Sequence, residues 1–174
     1  MRRLTPFKLS ATSRESRRSF KGHAQLPCLR DFFYDKIKRM KKYENLIKHG
    51  IEQPLETVAK HHKAPLVRYL MLERKHTDGE GVRIALHSIK LLPEIIPHYC
   101  ELHWHDFDEI NIILSEDESL VYKVQLEDEI YELKAPTTVY IPKGIKHKAE
   151  VVSGKGMMIT INFTGEYKAY TEEK

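Results

Sequence analysis

Ten histidines stand out in this 174-residue chain, and three of them occupy spacings that can converge. In His103-Trp104-His105-Asp106-Phe107-Asp108-Glu109 the first two imidazoles are two residues apart. Residues at that spacing share one face of an extended strand, so both rings can aim at one point. Glu109 has the same parity, although Asp106–Asp108 can turn the chain before it. Further on, Pro142-Lys143-Gly144-Ile145-Lys146-His147 combines proline and glycine in a tight turn that delivers a third imidazole at the start of a new strand. Three imidazoles and a carboxylate suit Fe, Mn, Zn, Ni or Co as divalent ions, and on an octahedral ion four protein ligands leave two positions for a substrate or dioxygen. A His-x-His pair alone would equally suit a plain strand face. The glutamate and the turn-borne histidine are what point to a metal.

Around this set, Asn111 shares the parity of Glu109 and Tyr140 immediately precedes the turn, which makes both candidates for a catalytic role. Asp106 and Asp108 have the opposite parity and read as a solvated turn, while Trp104 and Phe107 read as packing. His76, His87 and His98 have no partner in register with the set, and the adjacent His61-His62 reads as a solvated pair. Cys100 reads as a small buried residue rather than a nucleophile. With Cys28 it makes two cysteines in all, too few and too far apart for a disulfide framework or a thiolate zinc cluster.

Strands must position the ligands. After Gly81, β-rich segments recur at Val82–Ile89, Tyr99–His105, Ile110–Leu114, Leu120–Leu126, Ile130–Leu133, Thr138–Ile141, Lys148–Val152 and Met157–Phe163, separated by turn residues. Many short strands with such punctuation predict an all-β sandwich or barrel rather than a parallel sheet. Upstream, Leu46, Ile47, Ile51 and Leu55 recur at helix-like spacing, interrupted by Gly50 and Pro54, and predict a helical or mixed lead-in. The expected organisation is a basic extension over 1–39, the lead-in over 40–79, the barrel over 80–165 and a C-terminal tail over 166–174. No glycine-rich phosphate loop or Gly-x-Ser-x-Gly elbow occurs, which removes the common nucleotide-dependent and serine-hydrolase chemistries.

These residues resemble the two sequence motifs of the cupin superfamily, and specifically small single-domain metal-binding cupins of the conserved-barrel type. The first motif is Gly-x5-His-x-His-x3–4-Glu-x6-Gly, matched by His103, His105 and Glu109. The second is Gly-x5-Pro-x-Gly-x2-His-x3-Asn, matched by Pro142, Gly144 and His147. The chain departs from them at Pro97, Glu116, Pro136 and Val151, which are turn and boundary positions rather than ligands. The resemblance implies a double-stranded β-helix, or jelly roll, carrying one divalent metal on His103, His105, Glu109 and His147, and a homodimer. It leaves the reaction open, since such barrels include dioxygenases, isomerases, lyases and non-catalytic small-molecule binders or sensors. A small oxygenated metabolite is the expected ligand.

The charge is uneven. Residues 1–42 carry 13 Lys and Arg against 3 Asp and Glu, whereas the remainder is acidic, and the whole chain is at +4. Three readings fit the arginine- and serine-rich start: an idle or upstream stretch before Met40, an organelle-targeting segment, and a phosphate-binding arm. It lacks the interleaved aromatics of a single-strand binding platform, so nucleic acid is not the expected partner. The cytoplasm is the expected compartment, with organelle import as the alternative if 1–39 is a transit peptide. No run of about 18 apolar residues exists to span a membrane as a helix.

Overall fold

The computed structural model describes residues 41–77, 81–164 and 166–172. The architecture below is that of the compact unit from Asn45 onward. The extension expected over 1–39 lies outside the described residues.

Nine strands follow in order: β1 (Ile51–Glu52), β2 (Val67–Leu72), β3 (Arg83–Ile89), β4 (Glu109–Leu114), β5 (Val121–Leu126), β6 (Glu129–Lys134), β7 (Thr137–Ile141), β8 (His147–Ser153) and β9 (Gly156–Asn162). They build a six-stranded sheet in the order β1-β2-β3-β9-β4-β7 and a three-stranded sheet in the order β6-β5-β8. Every pairing is antiparallel. β3 alternates buried and half-buried residues along its length, with Arg83, Ala85, His87 and Ile89 facing inward. β4 does the same with Glu109, Asn111 and Ile113. That alternation places one face of the larger sheet against the smaller one. Ile89, Ile113 and Met158 from the larger sheet meet Tyr122, Val124 and Val151 from the smaller in a single core cluster.

The lead-in is mixed rather than helical. Between Asn45 and Thr77 the described chain holds 3-10 turns at Leu55–Thr57 and Arg74–His76, with β1 and β2 between and beside them. Gly50, Pro54 and Pro65 break the periodicity before an α-helix can propagate, and β2 instead adds to the larger sheet beside β3. The barrel therefore begins well before residue 80. It also ends later than 165: Trp104 and Tyr170 exchange backbone hydrogen bonds and stack their rings at 4.6 Å.

The continuous strand expected over Tyr99–His105 is replaced by isolated bridges to three separate places, Cys100 to His61, His103 to His147 and Trp104 to Tyr170. Apolar alternation is present there, but the partners lie on different segments, so no ladder forms. The turn around Glu116 closes without glycine because the Asp117 carboxylate accepts from Ser115 Oγ, Ser119 Oγ and Ser119 N–H. Gly154, between β8 and β9, has φ of +84°, and a Cβ there would lie 2.0 Å from the Ser119 carbonyl oxygen. Gly154→Ala is accordingly expected to cost about 2–3 kcal/mol, because both the left-handed backbone and a backbone contact oppose the methyl group. Urea unfolding of the two proteins checks it; equal midpoints would refute it.

Candidate metal centre

His103 and His147 are brought together by a backbone bridge, His103 N–H to His147 O at 3.1 Å and His147 N–H to His103 O at 2.7 Å. The turn works as expected: Gly144 has φ of +85°, Ile145 N–H bonds to Pro142 O, and Gly144 N–H bonds to His105 O at 2.7 Å. The turn is thus fastened to the segment bearing the other two imidazoles.

Each of the three rings is oriented from behind by a carbonyl. His103 Nδ1 lies 2.7 Å from Glu101 O, His105 Nδ1 lies 2.6 Å from Lys168 O, and His147 Nδ1 lies 2.9 Å from Ile145 O. A carbonyl only accepts, so Nδ1 carries the hydrogen in all three, and each Nε2 presents a lone pair. The three rings can each offer a nitrogen to one ion, these atoms lying within 4.8 Å of one another. His105 Nε2 and His147 Nε2 are buried without a hydrogen-bond partner. His103 Nε2 meets the Tyr167 hydroxyl at 3.3 Å.

Glu109 completes the cluster, its oxygens 3.6 Å from His105 Nε2 and 3.7 Å from His147 Nε2. These are not ion pairs. Burial, with the neighbouring imidazoles, pushes His105 down to about 3 and His103 to about 4, and burial also lowers His147. Burial likewise raises the Glu109 carboxyl, opposed by Asn111, His103, Asn162 and Arg83. Asn111 Nδ2 donates to Glu109 Oε1 at 2.9 Å, and Asn162 Nδ2 donates to Oε2. Lone pairs and a carboxylate pointing at one another, with the amides fixing the carboxylate, form an arrangement that a cation relieves.

Asn111 thus reaches the set through Glu109, its own Oδ1 accepting from Thr160 Oγ1. Tyr140 does not reach it. Its side chain is 56% exposed and its hydroxyl donates to Asp108 Oδ2 at 2.9 Å. Tyr140 pairs with Ile110 across β7 and β4, so it shares the outward face of that sheet. Asp108 points outward as parity predicts, accepting also from Lys143 N–H.

Sequence reasoning missed five residues that line the cavity: His61, Arg68, Arg83, His87 and Tyr167. His61 is not part of a solvated pair. Its Nδ1 bonds to Ala59 O, its Nε2 lies 3.5 Å from Cys100 Sγ, and its ring stands 5.4 Å from that of His103. Burial holds Cys100 up to about 12, so it remains a thiol. Arg83 and His87 share the parity of Ala85 and Ile89 on β3, and that was the available signal. Tyr167 had none, since no periodicity marks the segment after β9. The cavity itself is about 40 Å³.

No protein-family model and no curated protein matches the sequence. Solved structures do. One is an RmlC-like cupin from Shewanella frigidimarina, at 13% identity and TM-score 0.40 over 56% of this chain and 75% of that one. The described chain is a sandwich of two antiparallel sheets. A polyketide cyclase from Streptomyces resistomycificus matches at 15% identity and TM-score 0.47, over 75% of this chain and 84% of that one. A Bacillus subtilis oxalate decarboxylase with Mn(II) centres matches at 14% identity and TM-score 0.45, over 71% of this chain but only 32% of its own length. Likeness at this level assigns this chain no activity. Among the described residues no helix is long and apolar enough to cross a membrane.

Proposed function

We propose that this cupin-type protein holds one divalent transition metal on His103, His105, Glu109 and His147 and acts on a small oxygenated metabolite, as a dioxygenase or as an isomerase or lyase. The observation that carries the reading is the inward convergence of the imidazole Nε2 atoms, two of them buried without a hydrogen-bond partner. A bound ion of this class would supply a Lewis acid for a substrate oxygen, or a redox centre for dioxygen.

The chain's own residues do the rest. The carbonyls of Glu101, Lys168 and Ile145 hold the three imidazoles in the tautomer that can ligate. Asn111 and Asn162 keep the Glu109 carboxylate turned toward the rings. Phe107 stacks flat on His105 at 4.5 Å and helps shield that side from water. Tyr167, with its hydroxyl at His103 Nε2, is placed to give a proton to an oxygen developing charge in the cavity. Homodimerisation belongs to the same proposal, supported by exposed Ile51 on β1 and by Ile130 and Tyr131 on β6, all on sheet-edge strands.

Elemental analysis of protein purified without chelator tests the reading. About one transition metal per chain is expected in the native protein, and less than a tenth of that in His105→Ala and His147→Ala. No metal after reconstitution with each candidate ion would end the metalloprotein reading. A cavity of only about 40 Å³ favours a second reading, a non-catalytic small-molecule binder or sensor. Metal and ligand bound stoichiometrically, with the ligand recovered unchanged under air after prolonged incubation, would select it.

A further inference from the structure

Two arginines lie inside the barrel. Arg68 on β2 is 4% exposed and Arg83 on β3 is 6% exposed, and both line the cavity that holds the histidines. Their shared hydrogen-bond acceptor is neutral: Gln53 Oε1 takes the Nη1 of Arg68 and lies 3.4 Å from the Nη2 of Arg83. Among the described residues no carboxylate forms an ion pair with either guanidinium. Arg83 Nη1 is buried with no partner at all. The Tyr167 ring covers the Arg83 guanidinium, 5.0 Å from its centroid, which leaves the donor edge for another group.

Strand register explains the placement. Arg83 stands opposite Asn162 on β9, and Asn162 opposite Glu109 on β4, so arginine, amide and ligand carboxylate form one rank across three strands. Two carboxylates act on Arg83, Glu73 and Glu109; Glu73 is paired with Lys75, and the oxygens of Glu109 are engaged by Asn111 and Asn162 and directed at the imidazoles. Both carboxylates are thus committed to other groups, and two buried guanidinium groups are left without a direct anionic partner, which an interior tolerates poorly. Guanidinium does not release its proton to solve the problem.

We propose that Arg83, with Arg68 beside it, receives the carboxylate of a small organic acid, so that the ligand of this site is an anionic keto, hydroxy or dicarboxylic acid rather than a neutral sugar or alcohol. The inference rests on the proposed function for its second anchor, the ligand's remaining oxygen being turned toward the histidine cluster. The cavity of about 40 Å³ has room for about three waters, which limits the ligand to a short acid. The planar fork of a guanidinium matches a carboxylate through two parallel hydrogen bonds.

The test uses the full chain, both metal-free and metal-loaded, with oxalate, pyruvate and inorganic phosphate as anionic probes and pyruvamide as the neutral one. Calorimetric titration is expected to show saturable binding of a carboxylate and none of pyruvamide. Arg83→Met is expected to weaken that binding at least tenfold while melting no lower than the native protein without ligand, since an unpaired buried charge has been removed. Arg68→Met provides a second variant with the same expected loss. The two readings fail separately: saturable carboxylate binding by the native chain in its metal-free form, lost in both arginine variants, upholds the arginine anchor even where no metal is ever bound. Unchanged carboxylate affinity in both arginine variants, binding of pyruvamide as tight as that of pyruvate, or binding of phosphate alone would overturn the proposal.

Discussion

Glu150→Ala is expected to lower the unfolding free energy by about 3–5 kcal/mol, two buried backbone donors being stranded at about 1–3 kcal/mol each. Glu150 lies on β8 and is buried. Its Oε1 accepts the backbone N–H groups of Tyr99 at 2.8 Å and Cys100 at 3.2 Å, and its Oε2 meets His98 Nδ1 at 3.1 Å. Burial alone would raise its carboxyl, but the two amides and His98 outweigh burial and hold it below the usual range. Such a group contributes stability above its unfolded pKa and loses it as pH falls through the lower folded value. The carboxylate fastens the segment that leads directly into His103, so the alanine variant is also expected to bind less metal. Glu150→Gln keeps one oxygen for both amides and is expected to cost less than half as much. Urea denaturation at neutral pH checks the pair, and equal midpoints for Glu150→Ala and the native protein would refute the role.

The second large effect depends on pH. His87 is 6% exposed, lies opposite Arg68 on β2 and Met158 on β9, and has a buried Nδ1 without a partner. Burial, helped by Arg68, His61 and Arg83, pushes its pKa down to about 3. The unfolded imidazole titrates near its ordinary 6.5, so between 6.5 and 3 the unfolded chain binds the proton and the folded chain does not. Stability is therefore complete above 6.5 and falls as the pH drops, by about 2 kcal/mol at pH 5 from this one residue. His87→Leu removes the titration and the orphaned nitrogen together. Its stability relative to the native protein is expected to rise by about 2 kcal/mol between pH 7.5 and pH 5. Parallel pH profiles for the two metal-free proteins would sink the assignment.

Strand periodicity and turn chemistry are local, and they were legible. Seven of the eight expected strands correspond to β3–β9. The eighth, over Tyr99–His105, has the alternation but no single neighbour, and pairing is a property of two segments. Tyr140 illustrates the same limit. Its position beside the turn suggested access to the site, but the register of β7 against β4 turned it outward. Arg68 and Arg83 were passed over because arginine is ordinarily a surface residue, and a charge pattern read along the chain carries no record of which strand faces will close over it.

From the order of residues alone came the all-β class, the parity that aligns His103, His105 and Glu109, and the proline-glycine turn before His147. Each is set by backbone geometry within a few residues. Tertiary structure alone decided that these groups meet, because the His103–His147 bridge joins segments far apart in the chain. It also decided what surrounds them: carbonyls from three separate segments choosing the tautomers, two amides behind Glu109, and two arginines enclosed beside the cluster. Those features arise from desolvation and from distances between strands that only the folded chain defines.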